Sequence, residues 1–318
     1  MSINIPFFKL TCGASYRNLD VIEWLSRLFT IAGAEIIDIG AKPEIVKVAK
    51  SGIDSINYSY KIKHKPFLMI SIGVNNDVHF FVVKKDEDKC NNCGNCEKYC
   101  KHGVFQDYKI YLENCLGCGD CIFKCPNRAL SLIPIYNDLY YNNLHLNLEE
   151  CISMGASAIE IHTGYGNYSE IKKVWDMVSK FSKYWKIVSF SLGSHNLSNQ
   201  EILKLAKYLV SLTNSKVILQ IDGNPISGKS GKESTIKSLK LAQFILKEKI
   251  PAFIQVSGGT NNLTGKIAKD MGLKIDGIAM GSFARSYLGI QVSNLLQLDW
   301  DKCIIKAKEL VNSVRMIY

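Results

Sequence analysis

Short apolar runs alternate with amphipathic runs of helical period along most of the chain. Residues 7–13, FFKLTCG, read as a strand. Residues 18–33, NLDVIEWLSRLFTIAG, read as a helix, with Asn18 placed to cap its start and Gly33 to stop it. The same pair recurs at 35–41 and 43–52, and a third strand is expected at 67–73. The rhythm breaks at the charged bridge Lys84–Lys89. It stays broken through a cysteine-dominated stretch, 90–126, from which 129–137 leads out. It then resumes, with strands expected at 158–164, 186–193, 216–223, 252–259 and 276–282. Helices are expected at 148–155, 169–181, 199–212, 234–248, 263–272 and 301–318.

The strand runs are apolar at nearly every position, as strands buried on both faces are. Eight strands, nearly all followed by a helix, occupy roughly 270 residues once the cysteine stretch is set aside, about the size of a (β/α)8 barrel. An α/β, TIM-like barrel is therefore expected over 1–83 and 129–318, with 84–128 inserted after strand 3. An open doubly wound sheet is the alternative. In a barrel, that loop lies on the C-terminal face, where active sites are built.

Composition constrains this picture without changing it. With 318 residues, 47% of them hydrophobic, the chain can fill one large core or two medium ones. The formal charge of +10 is scattered over outer helix faces and is densest at Lys61–Lys65. A solvated face is the simple reading, and a docking patch for an acidic partner or nucleic acid the alternative. The basic–aromatic interleaving of RNA-binding chains is missing, so nucleic acid is not an expected partner. No run of about 18 apolar residues suggests a membrane span. MSINIPFFKLTCG lacks the charged leader and apolar run of an export signal, so a cytoplasmic location is expected.

Eight of the eleven cysteines fall between Cys90 and Cys125. Cys90-x2-Cys93-x2-Cys96-x3-Cys100 is followed by Cys115-x2-Cys118-x2-Cys121-x3-Cys125-Pro126, the doubled run of bacterial two-cluster ferredoxins. Three closely spaced thiolates wrap one corner of an iron–sulfur cube, and the fourth of each run ligates the other cluster. Cys90, Cys93, Cys96 and Cys125 are thus expected to hold one [4Fe–4S] centre. Cys115, Cys118, Cys121 and Cys100 are expected to hold the second. Structural zinc uses paired C-x2-C units instead of triplets. Lys101 stands where the first run would have proline. Cys151 and Cys303 lie within helices and read as small buried hydrophobes, while Cys12, at the end of the first strand, faces the possible site.

Residues 223–230, GNPISGKS, fit the phosphate-loop pattern G-x-x-x-x-G-K-[ST]. That loop needs a helix starting at its Gly-Lys-Ser, and Gly231 disfavours one there. The string also falls after the sixth strand of a barrel-like series. A Gly/Lys/Ser loop able to bind an anion or act as a lid is the expectation. Barrels often bind phosphate with the loops after strands seven and eight, where Gly258, Gly259 and Thr260, and then Gly281, Ser282 and Arg285, are found. An FMN or another phosphate-bearing ligand is the corresponding cofactor expectation, and tight turns the alternative. Lys9, Asp38, Glu160, His162, Gln220 and Asp222 are further polar residues on the strands, although His162 reads equally as a hydrogen-bonded structural histidine.

FKLTCGAS (8–15), the doubled cysteine run, IEIHTG (159–164), QIDGNPISGKSG (220–231), SGGTNN (257–262) and AMGSFAR (279–285) together resemble the cyanobacterial light-dependent period protein family. The resemblance spans nearly the whole chain. It implies an iron–sulfur protein that relays cellular redox state, and hence light, to the circadian clock and adjusts its period. The implied partners are a clock-input histidine kinase and the clock oscillator proteins. A quinone or ferredoxin pool would exchange electrons with the clusters. The second reading is a flavin- or phosphate-ligand-binding barrel oxidoreductase with electron transfer through the two clusters. It rests on architecture alone.

Overall fold

Phe7–Thr11 (β1) leads to Leu19–Ala32 (α1), Ile36–Gly40 (β2) to Pro43–Asp54 (α2), and Phe67–Gly73 (β3) to the insert. The insert carries Phe81–Lys85 (β4), Asn95–Tyr99 (α3), Phe105–Gln106 (β5), Lys109–Ile110 (β6), Asp120–Phe123 (α4) and Leu130–Pro134 (β7). Leu144–Ser153 (α5), Ala158–His162 (β8), Tyr168–Val178 (α6), Ile187–Gly193 (β9) and Asn199–Ser211 (α7) follow. After them come Ile218–Asp222 (β10), Lys232–Lys247 (α8), Phe253–Ser257 (β11), Thr264–Asp270 (α9), Gly277–Met280 (β12), Ser282–Leu288 (α10) and Trp300–Val314 (α11). This computed structural model describes residues 5–56, 60–74, 77–107, 109–135, 141–193, 197–214, 216–223, 232–290, 295 and 297–317.

The barrel strands β1, β2, β3, β8, β9, β10, β11 and β12 pair in parallel in that order, and β12 returns to β1. The last pairing closes the barrel and rules out the open sheet. The insert leaves from the C-terminal end of β3 and joins no barrel strand. Its β4 and β7 form an antiparallel ladder, Phe81↔Pro134 to Lys85↔Leu130; β4 crosses the expected limit at 83/84, and β7 lies just beyond the one at 128/129.

Local signals place the helices. The Asn18 side chain accepts from Val21 N, and Gly33, at φ 90°, ends α1 with a left-handed turn. Ser198 and Glu201 form a reciprocal capping box at α7. Two elements differ from the sequence expectation. Helix α5 begins at Leu144, four residues before the expected start at 148. A short helix, α10, follows β12 directly and stops at Gly289, φ 73°.

Strand alternation sorts the barrel interior into tiers. At the N-terminal end Phe7, Ile36, Met69, Ala158 and Ile218 form a separate apolar plug. Two residues further along each strand the inward positions turn polar: Lys9, Asp38, Ser71, Glu160, Ser189, Gln220 and Gln255 are all buried. The outer faces of the strands pack on the helices in the main core. A hydrophobic floor thus holds a polar layer towards the barrel mouth.

The insert rests on that mouth. Arg17 N, just beyond β1, donates to Glu113 O at 2.8 Å, and Asn18 Nδ2 donates to Asn114 Oδ1 at 3.1 Å. Leu116 packs so close to Gly13 that an added Cβ would lie 2.9 Å from its Cδ2. Gly13 also has φ 106°, so glycine is required there twice over. Among the described residues, no helix is long and apolar enough to cross a membrane.

Candidate functional site

Gly94 and Gly119 hold equivalent places in the two cysteine runs. Each adopts a left-handed turn, φ 74° and 76°, directly before a helix of one turn, α3 or α4. These turns fold each run back on itself and set its thiols facing inward. Cys90, Cys93, Cys96 and Cys125 line one cavity with Gly94, Phe105, Ile110 and Leu130. Cys100, Cys115, Cys118 and Cys121 line a second with Val83, Val104, Leu116 and Leu132. The last cysteine of each run has crossed to the other run's cavity. All eight are unpaired thiols.

The electrostatics group the sulfurs in the same way. Burial raises the Cys96 thiol, and charge on Cys90 and Cys93 raises it further. Burial pushes Cys121 up to about 12, with Cys118, Cys100 and Cys115 adding to the rise. Four thiolates this close repel one another unless a cationic core sits between them. Backbone N–H groups already point at sulfur: Val83 N to Cys115 Sγ at 3.4 Å, Ala129 N to Cys125 Sγ at 3.3 Å and Asn92 N to Cys90 Sγ at 3.4 Å. Such donors stabilise thiolate ligands and tune iron–sulfur potentials. The donor set, its apolar lining and its N–H···S bonds fit iron–sulfur centres.

The two cavities differ in exposure. Cys93 is exposed and Cys90, Cys96 and Cys125 are half-buried, whereas Cys115 and Cys121 are buried. The second cavity is also the one at the barrel. Asn114 Nδ2 donates to Gly103 O at 3.1 Å, and Leu116 is wedged on Gly13. Arg285 lies beneath, donating from Nη1 to Cys12 O at 2.9 Å and Thr11 O at 3.3 Å, with its guanidinium 5.4 Å from the Tyr16 ring. Burial and the Arg285 charge together hold His102 down at about 4.

In the barrel mouth Lys9 Nζ contacts Glu160 Oε2 at 2.5 Å and Asp38 Oδ2 at 3.5 Å. Glu160 also accepts from Ser189 Oγ at 2.7 Å and Gln220 Nε2 at 2.9 Å, and lies 3.3 Å from His162 Nε2. Asp38 accepts from Ser71 Oγ at 2.6 Å, and Gln255 Nε2 donates to Gln220 Oε1 at 2.6 Å. Burial alone would lower Lys9, but Glu160 and Asp38 outweigh it and raise it, so it stays an ammonium. Burial would raise Glu160, but Lys9 and His162 hold it well below the usual range. Asp38, at the longer distance from the shared lysine, is pushed up to about 6 by burial, with the Glu160 charge adding to the rise. Burial would lower His162, yet its hydrogen bond to Glu160 and the charges of Asp77, Glu160 and Asp222 keep it at about 9.

The folded chain therefore brings Lys9, Asp38, Glu160, His162, Gln220 and Asp222 into one neighbourhood. Ser71, Ser189 and Gln255 complete the layer, and Asp77 and His79 join at its edge; the sequence reading missed these five. Ser71, Ser189 and Gln255 occupy inward positions of the same alternation, a signal that was present. Asp77 and His79 carry no periodic signal, because they stand in the connection between β3 and β4.

The other expectations fare differently. Arg285 Nη1 donates to the carbonyls of Thr11 and Cys12 at the end of β1. Thr260 Oγ1 donates to Ala279 O, which ties that loop to β12. Gly258 and Gly259 make a left-handed turn, φ 67° and 100°. At Gly281 an added Cβ would meet Thr11 O at 2.9 Å, and Ser282 starts α10. These contacts tie the ends of β1, β11 and β12 together. Cys12 is wholly buried and burial pushes it up to about 12, so it stays a neutral thiol. Residues 224–231, most of the Walker-like string, lie outside the described residues.

Comparison with known proteins fits this geometry. Residues 82–105 and 108–131 each match a 4Fe-4S binding domain, and residues 151–313 match the light dependent period A C-terminal domain. The insert alone is similar to pyruvate synthase subunit PorD of Methanothermobacter marburgensis, 38% identical over 48 residues, or 15% of this chain and 59% of that protein. The fold is shared with an archaeal Rubisco structure at TM-score 0.52 and 11% identity, covering 98% of this chain and 60% of that one. Light dependent period A of Synechococcus elongatus is 32% identical over 293 residues, covering 89% of this chain and 81% of that protein. The chain belongs to the light dependent period A family, as an iron–sulfur protein with two 4Fe-4S motifs set into a closed (β/α)8 barrel.

Proposed function

We propose that the protein is a cytoplasmic redox sensor that relays cellular redox state, and through it light, to the circadian clock. Cys90, Cys93, Cys96 and Cys125 hold one [4Fe–4S] centre, and Cys100, Cys115, Cys118 and Cys121 hold the other. When bound, such centres supply reversible one-electron transfer. The protein's part is to grade their access to solvent. The observation that carries the reading is the contrast between the quartets: one holds the exposed Cys93 with three half-buried thiols, and the other holds the buried Cys115 and Cys121 with the half-buried Cys100 and Cys118 and presses on the loop after β1.

The outer quartet is the entry side. The rim runs on past Cys96 and Cys125 to the second cavity, which Tyr99 lines: Phe123, on α4, is 85% exposed, and Lys98 and Lys124 stand 5.6 and 5.2 Å from the Tyr99 ring. A basic, aromatic rim of this kind suits an acidic electron carrier of the ferredoxin class, or a quinone headgroup. The inner quartet is the output side. A charge change there is felt through Leu116, the Asn18–Asn114 hydrogen bond and the Arg285 guanidinium, all of which meet the segment that joins β1 to α1. The partners proposed from the family are a clock-input histidine kinase and the clock oscillator proteins.

The test is anaerobic binding of oxidised and dithionite-reduced protein to the kinase and oscillator proteins, measured by biolayer interferometry. The reading predicts a difference of at least about fivefold between the two states, the low end of ordinary allosteric coupling. Equal affinities with every partner contradict it. The flavin- or phosphate-ligand reading still rests on architecture alone.

A further inference from the structure

Between β3 and β4, Asp77, His79 and His162 come together at the edge of the polar layer. One oxygen of Asp77 and one ring nitrogen from each histidine all lie within 4.8 Å of one another. The His79 and His162 ring centroids are 4.8 Å apart. His79 Nδ1 is hydrogen-bonded to Asp77 Oδ1 at 2.9 Å, which holds two of the three donors side by side.

Three further observations bear on this cluster. His162 is 95% buried by side-chain and backbone area together, and among the described residues its Nδ1 has no hydrogen-bond partner. A buried ring nitrogen left in this way costs stability unless something fills its lone pair or takes its proton. Its other nitrogen, Nε2, faces Glu160 Oε1 at 3.3 Å. That is the carboxylate–histidine support which orients an imidazole for metal binding. Finally, the local charge is negative. Asp38, Asp77, Glu160 and Asp222 are all buried, while Lys9 is the one buried lysine among the described residues.

We propose that Asp77, His79 and His162 form a mononuclear site for a divalent first-row transition metal, separate from the cysteine centres. Two imidazoles and one carboxylate on one side of an ion leave coordination positions open on the other, the pattern of zinc and non-haem iron sites. His162 ligates through Nδ1 and is held by Glu160. Asp77 is held by the Gly164 N–H, 3.0 Å from its Oδ2. Phe80, edge-on to the His162 ring at 5.3 Å, walls one side. Closing the three donors onto one ion requires a shift of about 1 Å, since ligand atoms around a zinc-sized ion stand roughly 3–4 Å apart.

Zinc is the probe, because it is redox-silent and distinguishable from the iron of the clusters. The full chain, purified anaerobically with its clusters, is incubated with excess zinc, desalted and analysed for zinc and iron by mass spectrometry. About one zinc per chain is expected, with iron content unchanged. His79→Gln should lower the zinc affinity by at least tenfold with iron and circular dichroism unaltered, because His79 is a partly exposed ligand. Zinc K-edge absorption on the native protein gives a second readout that needs no variant. A shell of nitrogen and oxygen at about 2.0–2.2 Å supports the site, and a sulfur shell at about 2.3 Å places the zinc on cysteine and overturns it. Retention of less than a tenth of an equivalent, or equal zinc in the His79→Gln protein, also overturns it.

Discussion

Replacing Lys9 with Met tests the polar layer most sharply, because it removes one charge and keeps the volume. Lys9 Nζ sits 2.5 Å from Glu160 and 3.5 Å from Asp38, and all three residues are buried. At an effective dielectric constant of about 20 these contacts represent roughly 7 and 5 kcal/mol of gross attraction. Most of that is offset by the cost of removing three charges from water, so the pair sum is not the net effect. Truncation leaves Glu160 charged and uncompensated, and breaking a buried pair in this way costs about 3–5 kcal/mol. Two features push the value toward the lower end: Ser189 and Gln220 still bond Glu160, and Asp38 can take a proton near neutral pH. Anaerobic urea unfolding followed by far-UV circular dichroism reads the loss. With a slope of about 3 kcal/mol per molar, the midpoint should fall by roughly 1–1.5 M. Combining Lys9→Met with Glu160→Gln should restore at least half of it. A loss below about 1 kcal/mol, or a double variant no better than the single one, refutes the reasoning.

Two further outcomes follow from the same burial and charge pattern. Cys12, Cys151 and Cys303 are buried and raised by that burial, so none should be alkylated by iodoacetamide at about pH 8 in the native protein, and all three should react in urea; peptide mapping reads this, and native labelling of Cys12 contradicts it. Asp38, held at about 6, binds its proton more tightly folded than unfolded, so its contribution favours the folded state below about pH 4 and is lost as pH rises through about 6. Stability of the native protein relative to Asp38→Asn should therefore decline between about pH 4 and 7, and a flat difference would count against the assignment.

Much of this was legible in the chain because its causes are local. Apolar runs at the barrel strands, the Asn18 and Gly33 signals and the cysteine spacing each act within a few residues. Lys9, Asp38 and Glu160 stood out as polar residues within apolar runs. The backbone partners of Arg285 were illegible for the opposite reason. Its acceptors, Thr11 and Cys12, are more than 270 positions away and reach it only because β12 closes on β1. Asp77 and His79 likewise depend on a long-range meeting with His162, and nothing periodic announces them. Helix α5 began early because LHLN, 144–147, extends an apolar pattern that the sequence reading started at Leu148.

The central claim is that the two thiol quartets are crossed, and double serine variants with anaerobic iron and sulfide analysis test it. In the crossed arrangement Cys93 and Cys125 serve one centre, while Cys93 and Cys100 serve different ones. Cys93→Ser with Cys125→Ser should therefore keep one intact [4Fe–4S] centre by EPR of the reduced protein, with about half the native iron, and Cys93→Ser with Cys100→Ser should keep none. The reverse, a surviving centre in the second protein and none in the first, would contradict the account.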